Sequence, residues 1–167
     1  MKFSVDITGN FVNVKGCFIS QKYELEVECG KCRTIKKQLQ IDENKTVSKK
    51  IIDTHKTATY NLIYMCSCGT EICIKISEPD TFITILNNDN ENPVKAHPII
   101  NNRCCVSHLW SDGGFIKCAN KINLTIVPEN SDYAKEHIDI TKNIAVCKET
   151  TKESFIDNFS LKINEIN

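Results

Sequence analysis

Two cysteine pairs, Cys29-Gly30-Lys31-Cys32 and Cys66-Ser67-Cys68-Gly69, constrain this chain more than any other feature of its sequence. Two thiolates close together on a tight turn can face one ion, and a second pair downstream completes a tetrahedral set. Any fold the chain adopts must therefore bring two turns that are distant in sequence to a single point. Zinc is the expected ion, because soft thiolates in a four-coordinate site suit it and a structural site needs no redox chemistry. The expected ligands are Cys29, Cys32, Cys66 and Cys68, holding one structural Zn2+.

Only Ser67 separates Cys66 from Cys68. That shortens the chelate and leaves the aim of one sulfur open, so Cys73 and His55 stand as substitutes for the fourth ligand. A thioredoxin-type dithiol is the competing reading of Cys29 and Cys32. Such chemistry needs the first cysteine at a helix N-terminus, where the dipole lowers its pKa. Here Tyr23-Glu24-Leu25-Glu26-Val27-Glu28 alternates apolar and acidic residues as a strand does, so the pair is expected at a hairpin tip.

The rest of the chain reads as short strands with turn signals between them. Phe3, Val5 and Ile7 share one face before Gly9-Asn10, where a turn and a second short extended piece are expected. Strands are expected around Ile35 to Ile41, where an irregular strand is preferred to one helical turn, and at Thr59 to Met65, Thr70 to Ser77 and Thr81 to Leu86. The second half supplies Ile99-Ile100, Gly113 to Ile116, Ile122 to Val127 and Asn143 to Val146. The tail reads as helix through Phe155, Phe159 and Ile163, or as strand through Phe159, Leu161 and Ile163. Asn87 to Pro93 is polar, ends in proline and reads as a linker. The expected fold is all-β, with two packed sheet or sandwich halves at 1–86 and 94–167 and the knuckle in the first.

With 21 basic and 21 acidic residues the net charge is zero. That argues against non-specific binding to bare nucleic acid, DNA included, or to anionic membrane, and leaves room for a local basic patch. The opening residues carry no long apolar run, so neither a signal peptide nor a spanning helix is expected. The expected setting is cytoplasmic, where ten cysteines stay reduced. Catalysis is not expected. An all-thiolate zinc site is closed to substrate, the four histidines are scattered, and no motif for a small-molecule substrate is present.

Taken in order, several pieces resemble the eukaryotic CXXC motif-containing zinc-binding proteins, also called the UPF0587 family. They are the opening Ser4 to Val14, the strand and knuckle Tyr23 to Cys32, Lys56-Thr57-Ala58, and Cys66 with Ile72, Ile74 and Ile76. Gly113-Gly114-Phe115-Ile116, Ile122-Asn123-Leu124 and Asp132 to Glu136 follow. The chain departs from the family pattern in its shortened second pair, in the stretch near Arg103, and in lacking a Trp before Asp132. The resemblance implies two similar β-rich halves, with zinc held by the first and needed for folding. Microsporidian members share this chain's lysine, asparagine and isoleucine bias. They are dormancy factors bound at the tRNA exit site of the small ribosomal subunit.

A ribosome-binding hibernation factor that occludes that site and inhibits translation is thus the leading expectation. Its partners would be ribosomal RNA and proteins, with Lys31, Arg33, Lys36 and Lys37 as RNA contacts. Arg103, His108 and Trp110 form a second possible surface. The alternative is a cytosolic metal-handling protein or a zinc-dependent interaction module, which the spare pair Cys104-Cys105 keeps open.

Overall fold

A computed structural model describes residues 1–87, 90–129, 133–139, 145–149 and 152–167. Every helix or strand among the described residues is a β-strand, in line with the all-β expectation. No helix among them is long and apolar enough to cross a membrane.

A six-stranded sheet contains β1 (Lys2–Val12), β7 (Leu62–Met65), β8 (Glu71–Ser77), β11 (Arg103–Asp112), β15 (Ala145–Glu149) and β16 (Lys152–Ile166), in the order β15-β16-β1-β11-β8-β7. A three-stranded sheet has β3 (Lys22–Cys29) between β12 (Gly114–Asn120) and β4 (Ile35–Asp42). A closed barrel runs through β10 (Asn90–Pro98), β2 (Val14–Ile19), β13 (Asn123–Pro128), β14 (Tyr133–Asp139) and β9 (Ile83–Asn87). β5 (Val47–Lys50) and β6 (Thr57–Tyr60) form a separate hairpin.

The period-two pattern explains the packing. Phe3, Val5 and Ile7 enter the main core with Leu25 and Val27 of β3, Ile72 and Ile74 of β8, and Leu124 and Ile126 of β13. Burying each such side chain is worth about 1.5–3 kcal/mol. The alternate β1 residues Ser4 and Asp6 are also fully buried, and there the Ser4 hydroxyl donates to Asp6 Oδ2 at 2.7 Å.

Three readings change, and the tail takes the strand of its two. Gly9-Asn10 is a bulge and not a turn: β16 stays paired to β1 on both sides, with Thr8 opposite Ser160 and Asn10 opposite Asp157, and the chain turns only at Asn13, with φ 53°. The tail is a strand, because β1 offers it an edge from Phe155 to Ile166. Ile99-Ile100 forms no strand; Ile100 closes a tight turn with Arg103. β11, which the pattern did not reveal, lies between β1 and β8. Its alternation breaks at a bulge, since Asp6 faces Cys105 whereas Val5 faces Ser107.

The expected linker falls on the β9–β10 connection. Asn87 closes β9, Asn90 opens β10 and Pro93 stands opposite Leu86; residues 88 and 89 lie outside the described residues. So do 140–144, at the start of the strand expected from Asn143 to Val146, and Asp132 of the C-terminal motif. Strand pairing crosses this point in the sequence, because β1 lies between β11 and β16.

Candidate metal centre

β3 ends on Cys29 because its Tyr23, Leu25, Val27 and Cys29 all point into the core. The chain then reverses tightly. Cys29 N–H donates to the Thr34 carbonyl at 2.9 Å, and Arg33 N–H donates back to the Cys29 carbonyl at 3.0 Å. Arg33 occupies the left-handed region at φ 63°. The second knuckle, between β7 and β8, closes in the same manner with one residue fewer. Cys66 N–H donates to the Thr70 carbonyl at 2.8 Å, Gly69 N–H donates to the Cys66 carbonyl at 2.9 Å, and Gly69 has φ +83°.

The β11–β12 corner brackets the two knuckles together. β11 pairs with β8, placing Asp112 opposite Cys73, and β12 pairs with β3, placing Gly114 opposite Cys29. At the corner the Gly113 carbonyl accepts from Gly30 N–H at 2.9 Å. Gly113 itself has φ +80°, and a Cβ there would overlap the Glu71 carbonyl oxygen. A residue from the second half of the chain thus fixes the separation of two turns from the first.

The result is a compact thiol cluster. The Sγ atoms of Cys29, Cys32, Cys66 and Cys68 all lie within 4.8 Å of one another. Cys29 is 3.6 Å from Cys68, and Cys32 is 3.5 Å from Cys66. Both are far beyond a disulfide bond of about 2.05 Å. A tetrahedral ion with metal–sulfur bonds of about 2.3 Å spaces its sulfurs about 3.8 Å apart, so the cluster has the size for one metal ion. Cys29 and Cys66 are buried, Cys68 is half-buried and Cys32 is exposed.

Backbone and hydroxyl donors prepare the sulfurs unequally. The N–H groups of Cys32, first, and Lys31 lower the Cys29 pKa against its burial. Thr70, through its hydroxyl 3.2 Å from Sγ and through its N–H, draws Cys68 down to about 6. Cys66 receives the Cys68 N–H, yet burial and the three neighbouring sulfurs outweigh it and push Cys66 up to about 11. Four clustered sulfurs cannot all carry charge unless a cation sits among them, and a dication supplies what the backbone donors do not.

The substitute ligands stay out of the cluster. Cys73 is buried in β8, with its Sγ 3.6 Å from Glu71 Oε1, and His55 is exposed in the β5–β6 turn. A one-residue gap suffices for Cys66 and Cys68 because Gly69 closes the turn. Cys104 and Cys105 alternate across β11: Cys104 is buried, 3.1 Å from the His97 carbonyl, and burial together with the Asp6 carboxylate holds Cys105 at about 12. They form no dithiol centre.

The expected RNA contacts surround the first knuckle, but their charges are partly matched. Arg33 pairs with Glu28 at 2.8 Å and lies 5.2 Å from the Phe115 ring centroid. Lys37 lies 3.9 Å from Glu26, and Lys117 and Lys121 reach Glu28 and Glu24. Lys31 and Lys36 are exposed, without an ion-pair partner among the described residues. The acidic stripe of β3 was visible in the sequence, but not which cations the strand register would set beside it.

No family model matches the sequence, and no curated protein matches it. Solved structures match its fold. "Crystal Structure of C1orf123" superposes with a TM-score of 0.76 at 13% identity, covering 99% of this chain and 100% of that one. "Hypothetical protein from plasmodium falciparum" superposes with a TM-score of 0.69 at 10% identity, covering 98% and 99%. C1orf123 belongs to the UPF0587 family, the family the sequence motifs resemble. At these identities the likeness is one of fold, end to end along the chain.

Proposed function

We propose that this protein is a zinc-stapled, non-catalytic member of the CXXC motif-containing family that binds the ribosome, fills the tRNA exit site of the small subunit and holds translation off during dormancy. The observation carrying the non-catalytic part is the closed set of four thiols joining two hairpins. Zinc bound there has no open position for substrate or water, so what it supplies is rigidity. The motif resemblance supports the family and the ribosomal partner. Occlusion suits such a molecule, because a stapled β-protein can fill a site without doing chemistry in it.

Sucrose-gradient co-sedimentation, with zinc measured on the same protein, tests this reading. Co-migration with ribosomes from dormant cells, abolished when the tRNA exit site is occupied, is the expected result. Absence from ribosomal fractions removes the ribosome from the account.

Cytosolic metal handling is the second reading, favoured by one observation: Cys32 is exposed and Cys68 half-exposed, so an incoming thiol can reach the ion. A carrier keeps its fold when a chelator takes the metal, whereas a stapled protein unfolds.

A further inference from the structure

We infer that the outer face of the six-stranded sheet is a single-stranded RNA platform, with Trp110 as its stacking residue, the cations Lys2, Lys75 and Lys162 on the same face without an ion pair among the described residues, and Arg103 paired to Asp6 beside them. This deepens the ribosome reading, on which it rests for its biological setting, by giving that reading a contact surface other than the knuckle.

Strand register puts the residues on one face. Along β1 and β11, Lys2 stands opposite Trp110, Ser4 opposite His108, Asp6 opposite Cys105 and Thr8 opposite Arg103. The bulge at Val106 keeps this face in phase. β8 adds Lys75 beside Trp110, and β16 adds Lys162 beside Asp6. Lys2, Lys75, Arg103 and Lys162 thus share a surface with a tryptophan that is 50% exposed.

The acidic count on this face is what separates it from the knuckle side. Among the described residues, its strands carry one carboxylate between the Trp110 and Arg103 rows, the fully buried Asp6; Asp112 follows two residues beyond Trp110 on the same face, and Asp80 stands at the His108 cleft. Ser4 and Asn164 donate to Asp6 Oδ2 at 2.7 and 2.6 Å, and Arg103 Nε lies 2.9 Å from Oδ1. Asp6 therefore holds the guanidinium by charge, without a hydrogen bond to Oδ1, and the guanidinium N–H donors remain for a ligand. Lys75 and Lys162 have no ion-pair partner among the described residues, whereas β3 places a glutamate beside most cations of the knuckle side.

Trp110 supplies the recognition chemistry. Lys2 Nζ stands over its ring, 5.7 Å from the centroid, so the indole already holds a cation at its π face. Aromatic side chains on a cationic surface bind single strands by stacking unpaired bases while the cations track the phosphates. Six residues of β1 separate the Trp110 and Arg103 rows, about 20 Å at strand rise, room for several nucleotides. At the Arg103 end, Arg103 and His108 also line a cleft of about 410 Å³ with His97 and Asp80, which suits one unstacked base.

Trp110 is the chain's single tryptophan, so its fluorescence reports this face alone. Titrating the zinc-loaded full chain with a short uridine oligoribonucleotide is expected to quench it saturably. Affinity should fall with salt at a slope of about −2, as three displaced counterions give on a single strand. In anisotropy with a labelled oligonucleotide, Trp110→Ala should weaken binding about tenfold, the cost of one lost stack. Combined Lys75→Glu and Lys162→Glu should weaken it further and flatten the salt slope, and combined Lys36→Glu and Lys37→Glu should leave it within about twofold. An unquenched Trp110, or wild-type binding by both the Trp110 and the Lys75/Lys162 variants, overturns the platform. Quenching without ribosome co-sedimentation keeps the platform and removes the ribosome reading. Co-sedimentation unchanged by Trp110→Ala, with no quenching, does the reverse.

Discussion

The two knuckles differ by one residue, and the difference shows which spacing a thiolate turn must keep. Between its cysteines the first has Gly30-Lys31 and the second only Ser67. From the second cysteine onward they coincide. Cys32-Arg33-Thr34 and Cys68-Gly69-Thr70 each place a left-handed residue after the cysteine and a threonine after that. Each threonine carbonyl accepts the N–H of its knuckle's first cysteine, and each hydroxyl lies near the second sulfur, at 3.4 Å for Thr34 and 3.2 Å for Thr70. The loop before the second cysteine can lose a residue because the closing bonds are made after it.

If both knuckles close on one ion, removing it is the most damaging change to either. A structural zinc site is worth an apparent ten or so kcal/mol. Chelation should therefore abolish the cooperative thermal transition, read by circular dichroism, and Cys29→Ser and Cys66→Ser should each do the same. A retained transition in zinc-free protein would separate the knuckles energetically and favour the carrier reading. Next in size is the bracket. Gly113→Ala puts a Cβ onto the Glu71 carbonyl in a left-handed backbone, which should cost about 3 kcal/mol, from about 1–2 of strain and the rest overpacking. Denaturant unfolding of zinc-loaded protein measures it.

A smaller pair of changes isolates the turn itself. Nothing lies within 4 Å of a Cβ built on Gly69, so Gly69→Ala should cost only the left-handed penalty of about 1 kcal/mol. Arg33→Gly relieves that penalty in the other knuckle but gives up the Glu28 ion pair and the Phe115 contact, so its net effect should be closer to zero. Equal and opposite shifts would mean that the Arg33 side chain contributes nothing to stability.

What the sequence revealed here was local chemistry. The alternation from Tyr23 to Glu28 delivers Cys29 to a strand end, and the four sulfurs that meet are the two recognisable pairs. What it concealed depends on pairing between distant segments. Gly113 acts on Gly30 and Glu71 from some forty or more residues away in sequence, and nothing in Gly113-Gly114 itself names those partners. β11 was hidden because the bulge at Val106 shifts its period partway along. The cations near the first knuckle read as available because a sequence gives charge without register, and register is what sets Arg33 and Lys37 beside Glu28 and Glu26.

The smallest expected effect concerns the two threonines and carries a definite sign in pH. Cys68 sits at about 6, below its ordinary 9.0, chiefly through Thr70. A lowered thiol stabilises the folded chain above its unfolded pKa, and that contribution fades as pH falls through about 6. Protons and metal compete for the same sulfur. Thr70→Val keeps the shape and removes the hydroxyl, so it should move the midpoint of acid-induced zinc release, followed with a chromogenic zinc indicator, to higher pH. Thr34→Val removes the longer contact and should move it less. If both variants release zinc at the wild-type midpoint, the shared threonines serve only the backbone closure of the turn; if Thr34→Val shifts it more, the first knuckle, not the second, governs release.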